Sequence, residues 1–334
     1  MIPSRPLGPF QVSAVSLGCM NFAHAYGPPA AEEHVATLLA RALELGYTML
    51  DTAALYGFGL SEQIMGRVLK GRRSEYVLAS KCGMAGVRFP DGVKRVIDGR
   101  PEAIRRDCEN SLSYLQTDVI DLYYLHRWDK QVPIEESVGA MADLIKAGKV
   151  RALGLSEVSA ATIRRAHAVH PIVAVQSEYS LWSREVELGV LDACRDVGSA
   201  FVAFSPTARA FLTGTLRDLS ALAPKDIRRN MPRFAAENYA ANLRLLDGYL
   251  DIVREAGCTP AQFAIAWTLH KGGHVIALPG TRDLAHLEDD AGAGQVKLSA
   301  AVIAKAEALI HNRTVQGPRY DAQSQSEVDT EQFS

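Results

Sequence analysis

Separate apolar runs of this chain end in residues that can do chemistry. Asp51 closes Thr48 to Asp51, Lys81 closes Tyr76 to Lys81, His126 closes Val119 to His126, and Tyr56 follows Asp51 within one short loop. Ser156 closes Val150 to Ser156, and Gln176 stands beside the end of Ile172 to Ser177. Taken singly, each has an ordinary reading: a loop tyrosine is usually a surface aromatic, and a histidine after an apolar run is usually a satisfied rim residue. Together they are complementary. A phenol titrates near 10 and is a weak acid at neutral pH, but a neighbouring ammonium favours its phenolate. Lys81 can supply that ammonium, Asp51 can keep it charged out of water, and His126 can hydrogen-bond the oxygen that Tyr56 protonates. Such a set is a general acid for a carbonyl gaining negative charge, as happens when hydride reaches its carbon. The sequence has no metal constellation of His, Cys and carboxylate, which leaves an organic cofactor as the hydride source.

For these residues to meet, the chain must bring several strand ends to one rim. Three more apolar runs, Val15 to Met20, Ala200 to Ser205 and His274 to Pro279, make eight in all. Helix punctuation lies between the runs: Ser61 with Glu62, Pro101, Pro133, and Thr259 followed by Pro260 mark starts, while Gly46, Gly148, Gly198 and Gly257 mark ends. Continuous apolar strands alternating with helices predict a parallel sheet covered on both faces, and eight such units predict an α/β fold of the (β/α)8 TIM-barrel type. The rival, an open doubly wound sheet binding a dinucleotide, lacks its G-x-G-x-x-G run, since Gly57 and Gly59 are not followed by the required third glycine. The expected organisation is one barrel domain over residues 1–312 and a polar tail over 313–334. That tail is either frayed or a flap over the site, and composition favours fraying. Ile2 to Val12 reads as a hairpin closing the N-terminal end of the barrel. Thr207 to Asn238 is too long for an ordinary connection and reads as a functional loop over the C-terminal face.

Composition narrows the partners. The 334 residues carry 36 Lys plus Arg against 38 Asp plus Glu, so a formal charge of −2 gives no field that would draw nucleic acid or an anionic membrane. The stretch from Met1 to Met20 is broken by proline, serine and glycine and reads as neither signal peptide nor span, which predicts a cytoplasmic protein. Cys19, Cys82, Cys108, Cys194 and Cys258 are odd in number and show no CxxC spacing, which argues against a disulfide framework and against zinc. The oligomeric state is open.

The run Gly46 to Ala53 with Tyr56-Gly57 and Ser61-Glu62, then Ala79-Ser80-Lys81, then Asp121 to His126, resembles the aldo-keto reductases. The likeness covers roughly Leu7 to Leu309, with the motifs in the same order and on the same elements. It implies a barrel that binds NADP(H) across its rim, in preference to NAD(H), and reduces small-molecule aldehydes or ketones. Carried over, the catalytic tetrad is Asp51, Tyr56, Lys81 and His126, with Tyr56 the proton donor. Ser156 and Gln176 match the positions that hold the nicotinamide carboxamide, and Asp51 also stands near the adjoining ribose. Phe204, in the run Phe204-Ser205-Pro206-Thr207, replaces the usual tyrosine, and a flat ring still stacks without its hydroxyl. Ala208 and Ala210 stand where the family has glycines, although alanine disfavours positive φ. Thr281 and Arg282 match the segment that receives the 2′-phosphate. Asp289 and Asp290 occupy the adenine segment in place of Glu-Asn, and an ionised Asp accepts but does not donate.

On the substrate side, Met20, Phe22, Trp128 and Trp182, with Tyr26 or Phe58, together with Tyr56, predict an aromatic pocket for an apolar or aromatic carbonyl compound. The loop from Gly83 to Arg100 carries Arg88, Lys94, Arg95 and Arg100 against Asp91 and Asp98, a small positive balance that either favours acidic substrates or, as the charge pattern favours, is a solvated face. Two other functions fit the same fold. One is a barrel that holds NADPH as a sensor with little turnover; the other is an aldolase in which Lys81 forms a Schiff base.

Overall fold

A computed structural model describes residues 2–333. The barrel strands are β1 (Leu17–Gly18), β2 (Met49–Asp51), β3 (Val77–Cys82), β4 (Ile120–Leu125), β5 (Val150–Ser156), β6 (Ile172–Glu178), β7 (Ala200–Phe204) and β8 (Val275–Leu278). They pair in parallel and in chain order. A parallel bridge from Val15 to Ala277 and the bond from Gly18 N–H to the Pro279 carbonyl, 2.8 Å, join β1 to β8 and close the ring. The (β/α)8 architecture is therefore as the alternation predicts. Six strands lie within their predicted runs, and β3 and β6 overrun theirs by one residue, at Cys82 and Glu178; the runs are legible because both faces of each strand are buried, one against the helices and one in the barrel interior.

The interior is filled by Met49, Ala79, Leu122, Tyr124, Ala152, Ala174, Val202 and Ile276. It is capped below by an antiparallel hairpin, Ser4–Leu7 with Phe10–Ser13, whose Leu7 and Val12 join that cluster. At its turn Gly8 has φ +54°, and a Cβ there would lie 2.7 Å from the Val173 side chain. Only glycine lets the plug seat against the barrel floor.

The helices are α1 (Glu32–Leu45), α2 (Leu60–Val68), α3 (Pro101–Leu115), α4 (Ile134–Lys146), α5 (Ala160–Val169), α6 (Val190–Asp196), α7 (Ala236–Ala256), α8 (Pro260–His270), α9 (Leu284–Gly292), α10 (Ala300–Leu309) and α11 (Ala322–Ser326). Thr259 caps α8 in a full capping box with Gln262, and the four predicted terminal glycines all adopt positive φ. Ser61 and Glu62 are not caps. Both lie inside the first turn of α2 with their side chains buried beneath the rim. The segment from Gly83 to Arg100, read as a solvated loop, is an antiparallel hairpin of Met84–Phe89 and Gly92–Ile97 standing over the C-terminal face. No helix among the described residues is long and apolar enough to cross a membrane.

Candidate active site

Parallel pairing puts Asp51 at the end of β2 beside Ala79 of β3, two residues before Lys81. Lys81 is fully buried and its ammonium makes three contacts: an ion pair with Asp51, a bond to the Thr52 carbonyl at 2.8 Å, and a bond to the Tyr56 hydroxyl at 3.3 Å. Gln176 Nε2 donates to the second Asp51 oxygen at 2.8 Å. The Tyr56 ring meets His126 edge-on, with centroids 5.8 Å apart, and stacks on His24 at 6.0 Å. Beneath this group the Ser80 hydroxyl donates to Glu62 at 2.6 Å. Thr52 donates to Ser61, which in turn donates to the Cys19 carbonyl. The Ser61-Glu62 pair is thus a floor that fixes β2 and β3 from below.

Burial governs the titration of this cluster. It would depress Lys81, yet the Asp51 carboxylate and then the Tyr56 phenol raise the amine above its ordinary value, so it stays an ammonium. Lys81 also acts to lower Tyr56, as the sequence implies, but burial outweighs it and Asp51 opposes it. Tyr56 therefore lies above an ordinary phenol. It is fully protonated at neutral pH and can donate. His126 is pushed well below its usual value by burial first, then by the cationic Arg127 and Lys81. The neutral imidazole has a buried Nδ1 without a partner among the described residues.

These residues open into a cavity of about 810 Å³ that runs across the barrel mouth. Asp51, Tyr56 and His126 line it, and so do all ten residues expected at the cofactor: Asp51, Ser156, Gln176, Phe204, Ser205, Thr207, Thr281, Arg282, Asp289 and Asp290. Lys81 lies behind the wall, in reach of Tyr56 alone among the lining side chains it was expected to tune, apart from its partner Asp51.

The expected aromatic pocket takes a different form. Met20 and Tyr26 line the cavity, but Phe22, Trp128 and Trp182 do not. Phe22 is fully buried in the packing between strands and helices. Trp182 stacks on Phe211 at 4.1 Å and meets Phe234 edge-on, so its large apolar face is buried in the main hydrophobic core against residues of the long loop. Trp128 donates its indole N–H to the Val132 carbonyl at 2.8 Å and lies under the Arg165 guanidinium. Phe58 is 43% exposed, outside the cavity. In their place stand His24, Arg95, Arg127, Arg209, Arg228, Tyr320 and Glu327.

The tail supplies two of those, and it is packed rather than frayed. Arg319 is buried and pairs with Glu157 and, at 3.3 Å, with Glu178, next to the ends of β5 and β6. Although burial pushes the other way, Arg209, Arg319 and Arg233 hold Glu178 down to about 2. Farther on, Asp329 accepts from the Ser159 hydroxyl at 2.9 Å and Thr162 at 2.7 Å, and Glu331 accepts from Ala160 N–H at 2.8 Å, all at the N-terminus of α5. Glu327 pairs with Arg95 of the hairpin. The contacts that hold the tail are polar and long-range, which is why composition alone reads it as unattached.

The donor set suits an extended dinucleotide. Arg282 donates to the Pro28 carbonyl at 2.8 Å and, among the described residues, has no carboxylate within ion-pair distance, leaving its charge for a phosphate. At Gly280 a Cβ would lie 2.9 Å from the Gly18 carbonyl oxygen, so this part of the floor admits only glycine. Ser205, Ala208, Arg209 and Ala210 all take positive φ, between 52° and 73°, and turn the loop after β7 over the groove. Asp290, 6% exposed, is pushed up to about 8 by burial and the neighbouring Asp289. At neutral pH it keeps its proton and can donate as well as accept. Among the described residues no group of three or more His, Cys, Asp or Glu is arranged to hold a metal ion.

A closed parallel barrel with an acid, an ammonium and a dinucleotide groove at its C-terminal rim defines a nicotinamide-type oxidoreductase site. The sequence profile of the Aldo/keto reductase family matches residues 14–311. An aldo-keto reductase of Schizosaccharomyces pombe, named yakc [NADP(+)], is 39% identical over 98% of this chain and 97% of its own. A probable aldo-keto reductase 1 of Glycine max is 39% identical over 93% and 89%. Among solved structures, glycerol dehydrogenase from Gluconobacter oxydans superposes with a TM-score of 0.84 at 28% identity, covering 96% of this chain and 98% of that one. An aldo-keto reductase from Klebsiella pneumoniae in complex with NADPH gives 0.70 at 28%, covering 96% and 99%. The chain belongs to the aldo/keto reductase family and is an oxidoreductase acting on carbonyl groups.

Proposed function

We propose that the protein is an NADPH-dependent carbonyl reductase that converts aldehydes or ketones to alcohols, with Tyr56 as the general acid. The observation that carries this reading is the 3.3 Å contact between the Tyr56 hydroxyl and a Lys81 ammonium already paired with Asp51. NADPH, when bound, supplies the hydride. The substrate oxygen sits against Tyr56 and His126 and takes its proton from the phenol as negative charge builds on it. Lys81 then stabilises the phenolate left behind, and Asp51 keeps the lysine charged throughout. The same pairing speaks against Schiff-base chemistry, because the ammonium has its contacts filled and no free lone pair.

Ser156 and Gln176 would hold the carboxamide, Phe204 would offer its ring to the nicotinamide, and the loop carrying Ser205 and Thr207 would border the pyrophosphate. Thr281 and Arg282 would receive the 2′-phosphate, while Asp289 and Asp290 would border the adenine. An Arg282 without a carboxylate partner supports NADPH over NADH. The test is to follow nicotinamide absorbance with a panel of aldehydes and ketones and each cofactor in turn. Turnover with NADPH is expected, and its absence across the panel overturns the reading in favour of a binding protein.

A further inference from the structure

Every guanidinium lining the cavity but two is neutralised by a carboxylate. Arg95 pairs with Glu327, Arg209 with Glu178 at 2.7 Å, and Arg228 with Asp226 at 2.7 Å. The two exceptions are Arg282 and Arg127: among the described residues neither has a carboxylate within 4 Å. They follow β8 and β4, four strands apart in the ring of eight, so they stand on opposite sides of the mouth. Arg282 faces the end assigned to the cofactor phosphate. Arg127 stands beside the reacting end.

Arg127 is half-buried, immediately after His126. Its Nη1 donates to the His126 carbonyl at 2.7 Å and to Ser156 Oγ at 3.2 Å, while among the described residues Nε and Nη2 have no partner. A guanidinium with two unused donors and no counter-ion is unfavourable once the site is closed off from water. The local field is positive as well, since Arg127, Lys81, His24 and Arg95 all add to burial in depressing His126. A neutral substrate would leave this charge unanswered, whereas a carboxylate matches the planar fork of donors.

We propose that Arg127 binds an anionic group of the substrate, so that the preferred substrates are aldehydes or ketones that also carry a carboxylate. This rests on the carbonyl-reductase reading and names the substrate class of that site. A charge-assisted bond of this kind corresponds to roughly a ten- to hundredfold gain in kcat/KM over an uncharged analogue.

The experiment compares 3- and 4-carboxybenzaldehyde with benzaldehyde under NADPH, in the wild type and in Arg127→Met and Arg127→Lys. The wild type should favour one or both carboxylated aldehydes about ten- to hundredfold. Arg127→Met should collapse that ratio, and Arg127→Lys should restore part of it because the charge returns. In the wild type alone, benzoate should inhibit benzaldehyde reduction more strongly than benzamide does, a readout that needs no variant to fold. A wild-type ratio near one with equal inhibition by the two ligands overturns the anion pocket and leaves the reductase reading intact. So does an Arg127→Met loss that is equal for charged and neutral aldehydes, which would make Arg127 a stabiliser of the reacting oxygen or of the cofactor. Failure of all three aldehydes to consume NADPH overturns the reductase reading and this inference with it.

Discussion

The Lys81 ammonium lies 3.3 Å from the Tyr56 hydroxyl while paired with Asp51 on the next strand. The phenol is thereby held protonated by burial in the resting site and offered a counter-charge for the moment it loses its proton. A hydroxyl used only in the transition state leaves ground-state binding alone. Tyr56→Phe should therefore lower kcat by about 10²- to 10⁴-fold while NADPH affinity, read from the quenching of protein fluorescence, stays within about twofold. Retained turnover would remove Tyr56 from the acid role.

Among the described residues Arg282 has no carboxylate partner, so its removal tests phosphate binding without a confounding orphaned acid. Arg282→Ala should weaken NADPH by about tenfold or more, the worth of a charge-assisted contact, and change NADH by less than threefold. An equal loss for both cofactors would assign it a structural role through Pro28.

Asp290 carries a pH signature. Its pKa is raised to about 8 in the folded protein against 3.8 for the free side chain, so the native state binds the extra proton between these values. Stability falls as pH rises through that window, and the full penalty is present above pH 8. Asp290→Asn has no proton to lose. Its unfolding free energy should gain on the wild type progressively from about pH 4 to pH 8 and hold a constant advantage beyond, on the order of a few kcal/mol, read by denaturant unfolding at each pH. A pH-independent difference would show that Asp290 titrates normally.

Arg319 fastens the tail by answering two buried carboxylates, Glu157 and Glu178. Replacing it with Met leaves both acids with less compensation than they need, which should cost about 3–5 kcal/mol. The midpoint should fall, and limited proteolysis should now cut between residues 313 and 333. A variant as stable and as protease-resistant as the wild type would mean that the Asp329 and Glu331 contacts hold the tail without it.

Ala210 has φ +73° in a loop where the family resemblance expects glycine. An L-residue pays about 1–2 kcal/mol for that conformation, partly offset by the larger freedom of glycine in the unfolded chain. Ala210→Gly should therefore raise stability by roughly 1 kcal/mol, seen as a midpoint about 2–4 °C higher without cofactor. An unchanged or lower midpoint would show that the loop is not strained at this residue.

The strands were legible because a parallel strand covered on both sides is a continuous apolar run, a one-dimensional signal. Asp51, Lys81, His126, Ser156 and Gln176 were legible for the same reason, each at or beside a strand end. Trp182 and Trp128 lie outside the expected pocket because an aromatic in a loop carries no mark of which side it turns to, and here both turn to the main hydrophobic core. His24 carries no site signal in the sequence, Arg127 only its place next to His126, and Arg95 only the weak charge balance of its loop, because they sit in loops or a hairpin whose position over the mouth is set by folding.

The order of apolar runs and turn residues determined by itself that this chain forms an eight-unit barrel and that an acid, an amine, an imidazole and a phenol share one rim, because strand register follows from local pattern. Which charges remain unanswered at that rim was decided only by the tertiary structure. Glu327 and Glu178 reach Arg95, Arg209 and Arg319 from distant parts of the chain, and among the described residues no carboxylate reaches Arg127. Pairing between charges is a matter of distance in space, on which spacing along the sequence has no hold.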